Sequence, residues 1–251
     1  MIPTPNWFKT NVEYLELNKD LYLITFSCTD KLPTFASGQF FMLKLENVYL
    51  NIPLAVYQQL DEHKFNVALK VVGPGTGHFI QTKPTTVSIF APLGAPTPLV
   101  SDQTVLLIGG GTGSSILYEL AKKLTAKNKV LLCLAFKNKT DVFGVETYVE
   151  LLGKENVFVA CQEQTQCFCG NILELIAHHQ LKFDFIYVCG STNLMRAIDH
   201  QYPTINGYLV YEAKMACGFG VCAACTIVLK NGFTQRVCVN PNFKMHSIAY
   251  E

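Results

Sequence analysis

The chain has 251 residues, 49% hydrophobic and 16% charged, with a formal net charge of +1. That composition builds a packed core and excludes a disordered chain, and the near-neutral balance excludes an overall basic nucleic-acid binder or an acidic tail. The length allows one large domain or two to three small ones at about 100–200 residues each. No apolar run reaches the ~20 residues of a membrane helix. The start, Met1-Ile-Pro-Thr-Pro-Asn6, lacks the basic and apolar stretches of a signal peptide. The expected setting is the cytoplasm, with no membrane and no nucleic acid among the partners.

Residues 1–100 read as β-rich. Tyr14–Leu17, Leu21–Phe26, Gln39–Leu45 and Phe65–Val72 are short, rich in aromatic and branched residues, and punctuated by Pro and Gly. They predict a small antiparallel barrel. Within it, Val71-Val-Gly-Pro-Gly-Thr-Gly77 is a glycine turn after a strand. Gly73, Gly75 and Thr76 could cradle a pyrophosphate, with Thr76 donating its hydroxyl; an ordinary hairpin turn fits the same residues.

The pattern changes near Pro98. Thr104–Ile108 reads as a buried strand that enters Gly109-Gly-Gly-Thr-Gly113 and then an amphipathic helix over Ser114–Leu124. Strands follow at Val130–Phe136, Val157–Ala160 and Phe185–Cys189, and helices at Glu146–Leu152, Ile172–Gln180 and Asn193–His200. Such alternation implies a parallel sheet covered on both faces. Strand, glycine loop and helix make a phosphate-binding geometry, because the helix start offers free N–H groups and a positive dipole end. The dinucleotide pattern G-x-G-x-x-G is not met: Ser114 and Ile116 stand where its last glycine would fall from Gly109 or Gly111.

Ten cysteines are present. Without an export signal, a reducing setting makes them core filler, reactive thiols or metal ligands. Cys28, Cys133, Cys161, Cys167, Cys169 and Cys189 are scattered and read as packing. Cys217, Cys222 and Cys225, followed by Cys238, form C-x4-C-x2-C…C, the spacing of a plant-type [2Fe–2S] centre. Such a loop must turn its amides onto sulfur, which explains Gly218, Gly220, Ala223 and Ala224. Thr226–Lys230, Asn231-Gly232 and Phe233–Val237 read as a hairpin with a two-residue turn that returns Cys238 to the loop. A four-cysteine zinc site is the rival; it usually pairs two short knuckles rather than one loop and a lone cysteine. The six histidines show no triad or metal spacing.

Together these segments resemble the electron-transfer subunit of class 1B dihydroorotate dehydrogenase, within the ferredoxin–NAD(P) reductase superfamily. The resemblance covers nearly the whole chain. Tyr211–Cys225 is similar to the family's E-x-x-M-A-C-G-x-G-x-C-x-x-C, Leu107–Gly113 to its nucleotide loop, Tyr187–Met195 to its C-G-P-x-x-M segment, and Gly73–Thr76 to its G-x-G-T flavin turn. The implied fold is an antiparallel flavin-type β-barrel over 1–100, an α/β nucleotide-binding domain over 101–205 and an iron–sulfur module over 206–251. The implied function is passage of electrons from dihydroorotate oxidation in a flavin-bearing catalytic subunit, through [2Fe–2S] and FAD, to NAD+. The implied assembly is a heterotetramer.

The same resemblance implies that Cys217, Cys222, Cys225 and Cys238 ligate iron. Pro53, Leu54 and Ala55 would line the flavin ring with Lys70 nearby, and Gly73, Gly75 and Thr76 would hold its phosphate. Gly109, Gly110, Gly111, Gly113, Cys189 and Gly190 would face the nicotinamide nucleotide. Four departures stand out. The flavin signature R-P-x-S is Ile52-Pro53-Leu54-Ala55, Ile116 and Ser191 replace prolines, and Val239-Asn240-Pro241 replaces an acidic-Gly-Pro. Loss of a charge-assisted contact of ~1.5–3 kcal/mol weakens FAD binding roughly ten- to a hundredfold. These departures leave two alternatives open: a stand-alone reductase for another acceptor, or a cluster-binding subunit that has lost FAD.

Overall fold

The structure is a computed structural model that describes residues 4–163 and 167–250. The first half supplies β1 (Asn6–Asn18), β2 (Leu21–Ser27), β3 (Phe40–Lys44), β4 (Ile52–Ala55), β5 (Gln58–Gln59), β6 (Lys64–Lys70), helix α1 (Pro74–Thr82) and β7 (Thr86–Leu93). The strands form one antiparallel sheet in the order β4-β3-β7-β1-β2-β6-β5. Alternation along β1 sets its two faces: Thr10 and Val12 point into the core, and Trp7, Lys9, Asn11 and Glu13 point out. Inside lies an aromatic cluster in which Phe26, Phe41, Phe65 and Phe79 pack ring on ring. Phe79 comes from α1, a helix that the sequence pattern did not reveal; the chain reads there as a bare glycine turn.

The second half supplies β8 (Thr104–Gly110), α2 (Gly113–Leu124), β9 (Lys129–Phe136), α3 (Val145–Leu152), β10 (Val157–Cys161), β11 (Phe168–Cys169), α4 (Ile172–His178), β12 (Phe185–Cys189), α5 (Thr192–Gln201), β13 (Asn206–Val210), β14 (Thr226–Val228), β15 (Thr234–Arg236) and β16 (Asn242–Lys244). The main sheet runs β11-β10-β9-β8-β12-β13-β16, parallel except for β16 at its edge. Its central strands are continuous apolar runs because helices cover both faces: Val105–Ile108 and Ile186–Cys189 are completely buried. Asn171 caps α4, accepting from the N–H groups of Leu173 and Glu174, while Glu174 accepts from the Asn171 N–H. Strand order reverses between β8 and β12, so a crevice opens beyond their carboxyl ends.

β13 is the sixth strand of this sheet, although the sequence reading begins the iron–sulfur module at residue 206. β14 and β15 form the expected hairpin. Its connection is wider than the expected two-residue turn: the Leu229 N–H donates to the Phe233 carbonyl, leaving Lys230, Asn231 and Gly232 as the loop, with Gly232 at φ +81°. One buried cluster joins Phe40, Met42 and Leu93 of the barrel, Ile186, Val188 and Leu209 of the second sheet, and Cys225 and Cys238. The cysteine loop therefore shares its core with both sheets. Among the described residues no helix is long and apolar enough to cross a membrane.

Candidate functional site

The four motif cysteines meet at the end of the β14–β15 hairpin as two pairs. Cys217 and Cys222 lie with their sulfurs 3.4 Å apart. Cys225 accepts a 3.4 Å hydrogen bond from the Cys238 N–H, and Cys238 also feels the Cys217 sulfur. The loop between them is shaped by left-handed residues: Gly218 at φ +80°, Gly220 at +87° and Ala223 at +59°. Gly218 is also pinned by space, since a Cβ there would lie 2.7 Å from Cγ and Sδ of Met42 on β3.

These turns aim backbone amides at sulfur. Burial raises the Cys217 thiol, but the backbone N–H groups of Cys222 and Phe219, the Cys222 thiol and the Val221 N–H outweigh it and bring the group down to about 6. Cys238 goes the other way. Burial first, and its hydrogen bond with Cys225 next, push it up to about 12, against a backbone contribution from Gly220. Among the described residues no three His, Cys, Asp or Glu side chains converge on a single-ion position. Two cysteine pairs would give two thiolates to each iron of a two-iron core, with N–H donors at Cys217.

The flavin motif maps to the neighbouring strand. Met42, beneath the cluster loop, pairs in register with Pro53. Pro53, Leu54 and Ala55 line one wall of a narrow slot whose other wall is Ile116 of α2 and the segment from Tyr211 to Met215. Glu212 lines this slot and is exposed to solvent. Beside the slot, Gly73 caps α1 with no side chain of its own. Thr76 Oγ1 accepts from the N–H groups of Val72 and Gly73 and donates to the Gly73 carbonyl at 3.1 Å. Its hydroxyl builds the turn here, with the Gly73 carbonyl as its acceptor. The first-turn N–H groups of Gly75 and Thr76 are the donors left for a phosphate.

Ile52, standing at the motif's arginine position, folds over this helix start: a Cβ on Gly75 would be 3.1 Å from its Cδ1 and Cγ1. The slot, about 50 Å³, is narrower than a flavin ring and would have to widen to admit one, and the fixed positive charge is missing beside the helix start. Lys70 does not supply it. Its Nζ is 2.8 Å from Asp141 Oδ2, a clasp between β6 and the turn after β9, and it lines the next cleft instead.

That cleft, of about 920 Å³, opens beyond the carboxyl ends of β8, β9, β10 and β12. The glycines of the nucleotide loop divide their work. Gly110 and Gly111 line the cleft with Thr112, and Gly111 adopts φ +57°. Gly109 and Gly113 serve close packing: a Cβ on Gly109 would meet Ser114 Cα at 2.8 Å, and one on Gly113 would meet the Gly190 nitrogen at 2.9 Å. Gly190 packs on Gly110, and Cys189 lies wholly buried, its thiol pushed far up by burial and by Glu212. Sequence reasoning missed Lys137, Asn138, Gln162, Ser191 and Asn193, which also line the cleft. Their shared signal is position, each following the end of a parallel strand near the switch point.

Comparison with known proteins agrees with this layout. Residues 212–249 match the family described as the iron–sulfur cluster binding domain of dihydroorotate dehydrogenase B. The chain is 31% identical over 228 residues to the dihydroorotate dehydrogenase B (NAD(+)) electron transfer subunit of Bacillus cereus (strain Q1), covering 87% of each sequence. The fold is similar to that in a solved structure of the NADH-dependent reduced ferredoxin-NADP oxidoreductase, with TM-score 0.85, 22% identity, and 96% of this chain and 90% of that one covered. It is also similar to the ferredoxin reductase in carbazole 1,9a-dioxygenase, with TM-score 0.65, 17% identity, and 78% and 65% covered. On that identity across most of both sequences, and on the family match over its cysteine loop, the chain belongs to the family of dihydroorotate dehydrogenase B electron transfer subunits.

Proposed function

We propose that the chain conducts electrons from dihydroorotate oxidation in a flavin-bearing catalytic subunit to NAD+, within a cytoplasmic heterotetramer. In this reading residues 1–100 hold FAD, 101–205 the nicotinamide nucleotide and 206–251 a [2Fe–2S] centre. One observation carries it: the three sites are contiguous. Gly218 of the cluster loop rests on Met42, Met42 pairs with Pro53 of the flavin slot, and that slot faces Ile116 on the helix that begins at the nucleotide loop.

When bound, the iron–sulfur centre would exchange single electrons and the flavin would couple them to hydride exchange with nicotinamide. The chain's own residues set the conditions. Cys217, Cys222, Cys225 and Cys238 would hold iron, and the N–H groups of Phe219, Val221 and Cys222 would stabilise negative charge on sulfur. Pro53, Leu54 and Ala55 would keep water off one face of the ring. Gly75 and Thr76 would direct N–H groups at its phosphate, and Gly110, Gly111 and Thr112 would do the same for the dinucleotide. Phe219 and Val221 are exposed beside Cys222, so a donor protein can approach the cluster at the loop tip.

Ile52 over Gly75 favours a second reading, in which the chain keeps its cluster but holds FAD poorly or not at all. Anaerobic co-purification with the catalytic subunit, followed by assay of iron, sulfide and flavin, separates the two. Iron, sulfide and FAD in a complex that reduces NAD+ support the first. Iron and sulfide without FAD in the chain support the second, and a fully active single chain contradicts the partner requirement.

A further inference from the structure

The outer face of the barrel sheet continues the surface of the cluster loop, and its side chains fall into rows fixed by strand register. On β3, β7 and β1 the first row is Met42, Phe90 and Trp7, and the second is Lys44, Ser88 and Lys9. The cluster loop covers the start of the first row. Gly218 lies on Met42, and the Phe219 ring meets Phe90 edge-on with centroids 6.5 Å apart. Phe90 in turn packs on Trp7 at 5.2 Å. Trp7 is 47% exposed, and the Lys44 ammonium stands 5.8 Å from its ring centroid. An apolar track therefore runs from the exposed loop tip through Phe219 and Phe90 to Trp7, and two exposed lysines border it.

Beyond the lysines the face sinks into a groove of about 730 Å³. Its titratable and charged lining consists of Lys9, Lys44, His78 and Glu46, with Thr and Ser hydroxyls between them. Among the described residues neither lysine has a carboxylate within ion-pair distance, whereas Lys70 and Lys31 are paired elsewhere. A large indole left half in water, continuous with an exposed apolar loop and rimmed by unpaired cations, has the anatomy of a protein interface: an aromatic centre with a polar border that steers the partner.

We propose that Trp7, Lys9 and Lys44 form the outer half of the docking surface for the electron-donating flavoprotein subunit, whose matching face is apolar opposite Trp7 and Phe219 and carboxylate-bearing opposite the lysines. This rests on the partner-dependent reading above. The lysines act in encounter and alignment, bringing the donor to the exposed edge of the cluster loop; the aromatic track supplies the buried contact.

Trp7 is the only tryptophan in the chain, so 5-fluorotryptophan labelling gives a single 19F resonance on this face. The test titrates the anaerobically purified, cluster-loaded chain with the dihydroorotate-oxidising flavoprotein of the same organism. It compares wild type with K9E/K44E, with the neutral K9Q/K44Q, and with K122E/K123E on α2 as a control of equal charge change. Visible spectra and thermal melting confirm that each variant is folded and loaded. Expected are a shift of the Trp7 resonance on binding, affinity roughly tenfold or more weaker for K9E/K44E, an intermediate loss and flatter salt dependence for K9Q/K44Q, and an unchanged control. Equal affinities with an unmoved resonance would overturn the surface and leave the partner reading standing. No binding by wild type would overturn the partner reading itself. A resonance that moves with the chain's own concentration would assign the face to a second copy and overturn the proposal.

Discussion

Replacing Ile52 by Arg should tighten FAD binding. Ile52 sits over the first turn of α1, against Gly75, where the N–H groups of Gly75 and Thr76 have no side-chain cap. A guanidinium there would add a charge-assisted hydrogen bond to a pyrophosphate, about 1.5–3 kcal/mol. At about 1.4 kcal/mol per factor of ten, Kd falls roughly ten- to a hundredfold. Ile52 is buried in the barrel core, so the substitution also costs folding stability, about 1.5–3 kcal/mol for the apolar surface lost and more where the guanidinium is held out of water. The arginine stem recovers part of that by lying along the same surface. The assay is titration of flavin-free protein with FAD, followed by quenching of flavin fluorescence, for wild type, Ile52→Arg and Ile52→Gln. Glutamine has reach without charge and should change Kd little. The reasoning is refuted if arginine binds no tighter than isoleucine, or if glutamine matches arginine.

Gly218→Ala should lower cluster occupancy, because its Cβ meets Met42 at 2.7 Å and φ is +80°; iron per chain after anaerobic purification reads it. Gly113→Ala drives a methyl into the backbone of Cys189 and Gly190 and should cost about 1–3 kcal/mol in stability while abolishing dinucleotide binding, seen by melting and NADH titration. Lys70→Ala should cost under about 1 kcal/mol, since the pair is partly exposed, yet weaken dinucleotide binding, because it frees the Asp141 carboxylate in the cleft facing the phosphates. In cluster-free protein Cys217, at about 6, is mostly thiolate at pH 7 and should be alkylated by iodoacetamide well before Cys238, which is buried and at about 12; the Cys217 rate should fall as pH drops through 6. Mass spectrometry of quenched samples orders the two.

The legible parts of this protein are those whose chemistry is local. The spacing of Cys217, Cys222 and Cys225 with their small neighbours announces a loop that turns amides onto sulfur, and the structure brings those three together with Cys238. The run Thr104–Ile108 into glycine and then an amphipathic segment likewise forms β8 and α2. What stayed hidden depends on distant residues. Helix α1 carries Pro74, Gly75 and Gly77, poor helix formers, and is held by Phe79 in the barrel core and by Thr76 folding back on Gly73. The Lys70–Asp141 pair joins residues far apart along the chain, which no local pattern encodes. The division of labour among Gly109–Gly113 needed the positions of Ser114 and Gly190. Lys9 and Lys44 become neighbours through Ser88 alone, in a sheet order that no local pattern encodes.

The central claim is that four cysteines hold a [2Fe–2S] centre on which the whole electron path depends. Iron, zinc and acid-labile sulfide, assayed on the same anaerobically purified sample, test it most directly. The account predicts iron and sulfide in equal amounts, about two of each per chain, lost on Cys225→Ser. Zinc at one per chain, with no sulfide, would contradict it.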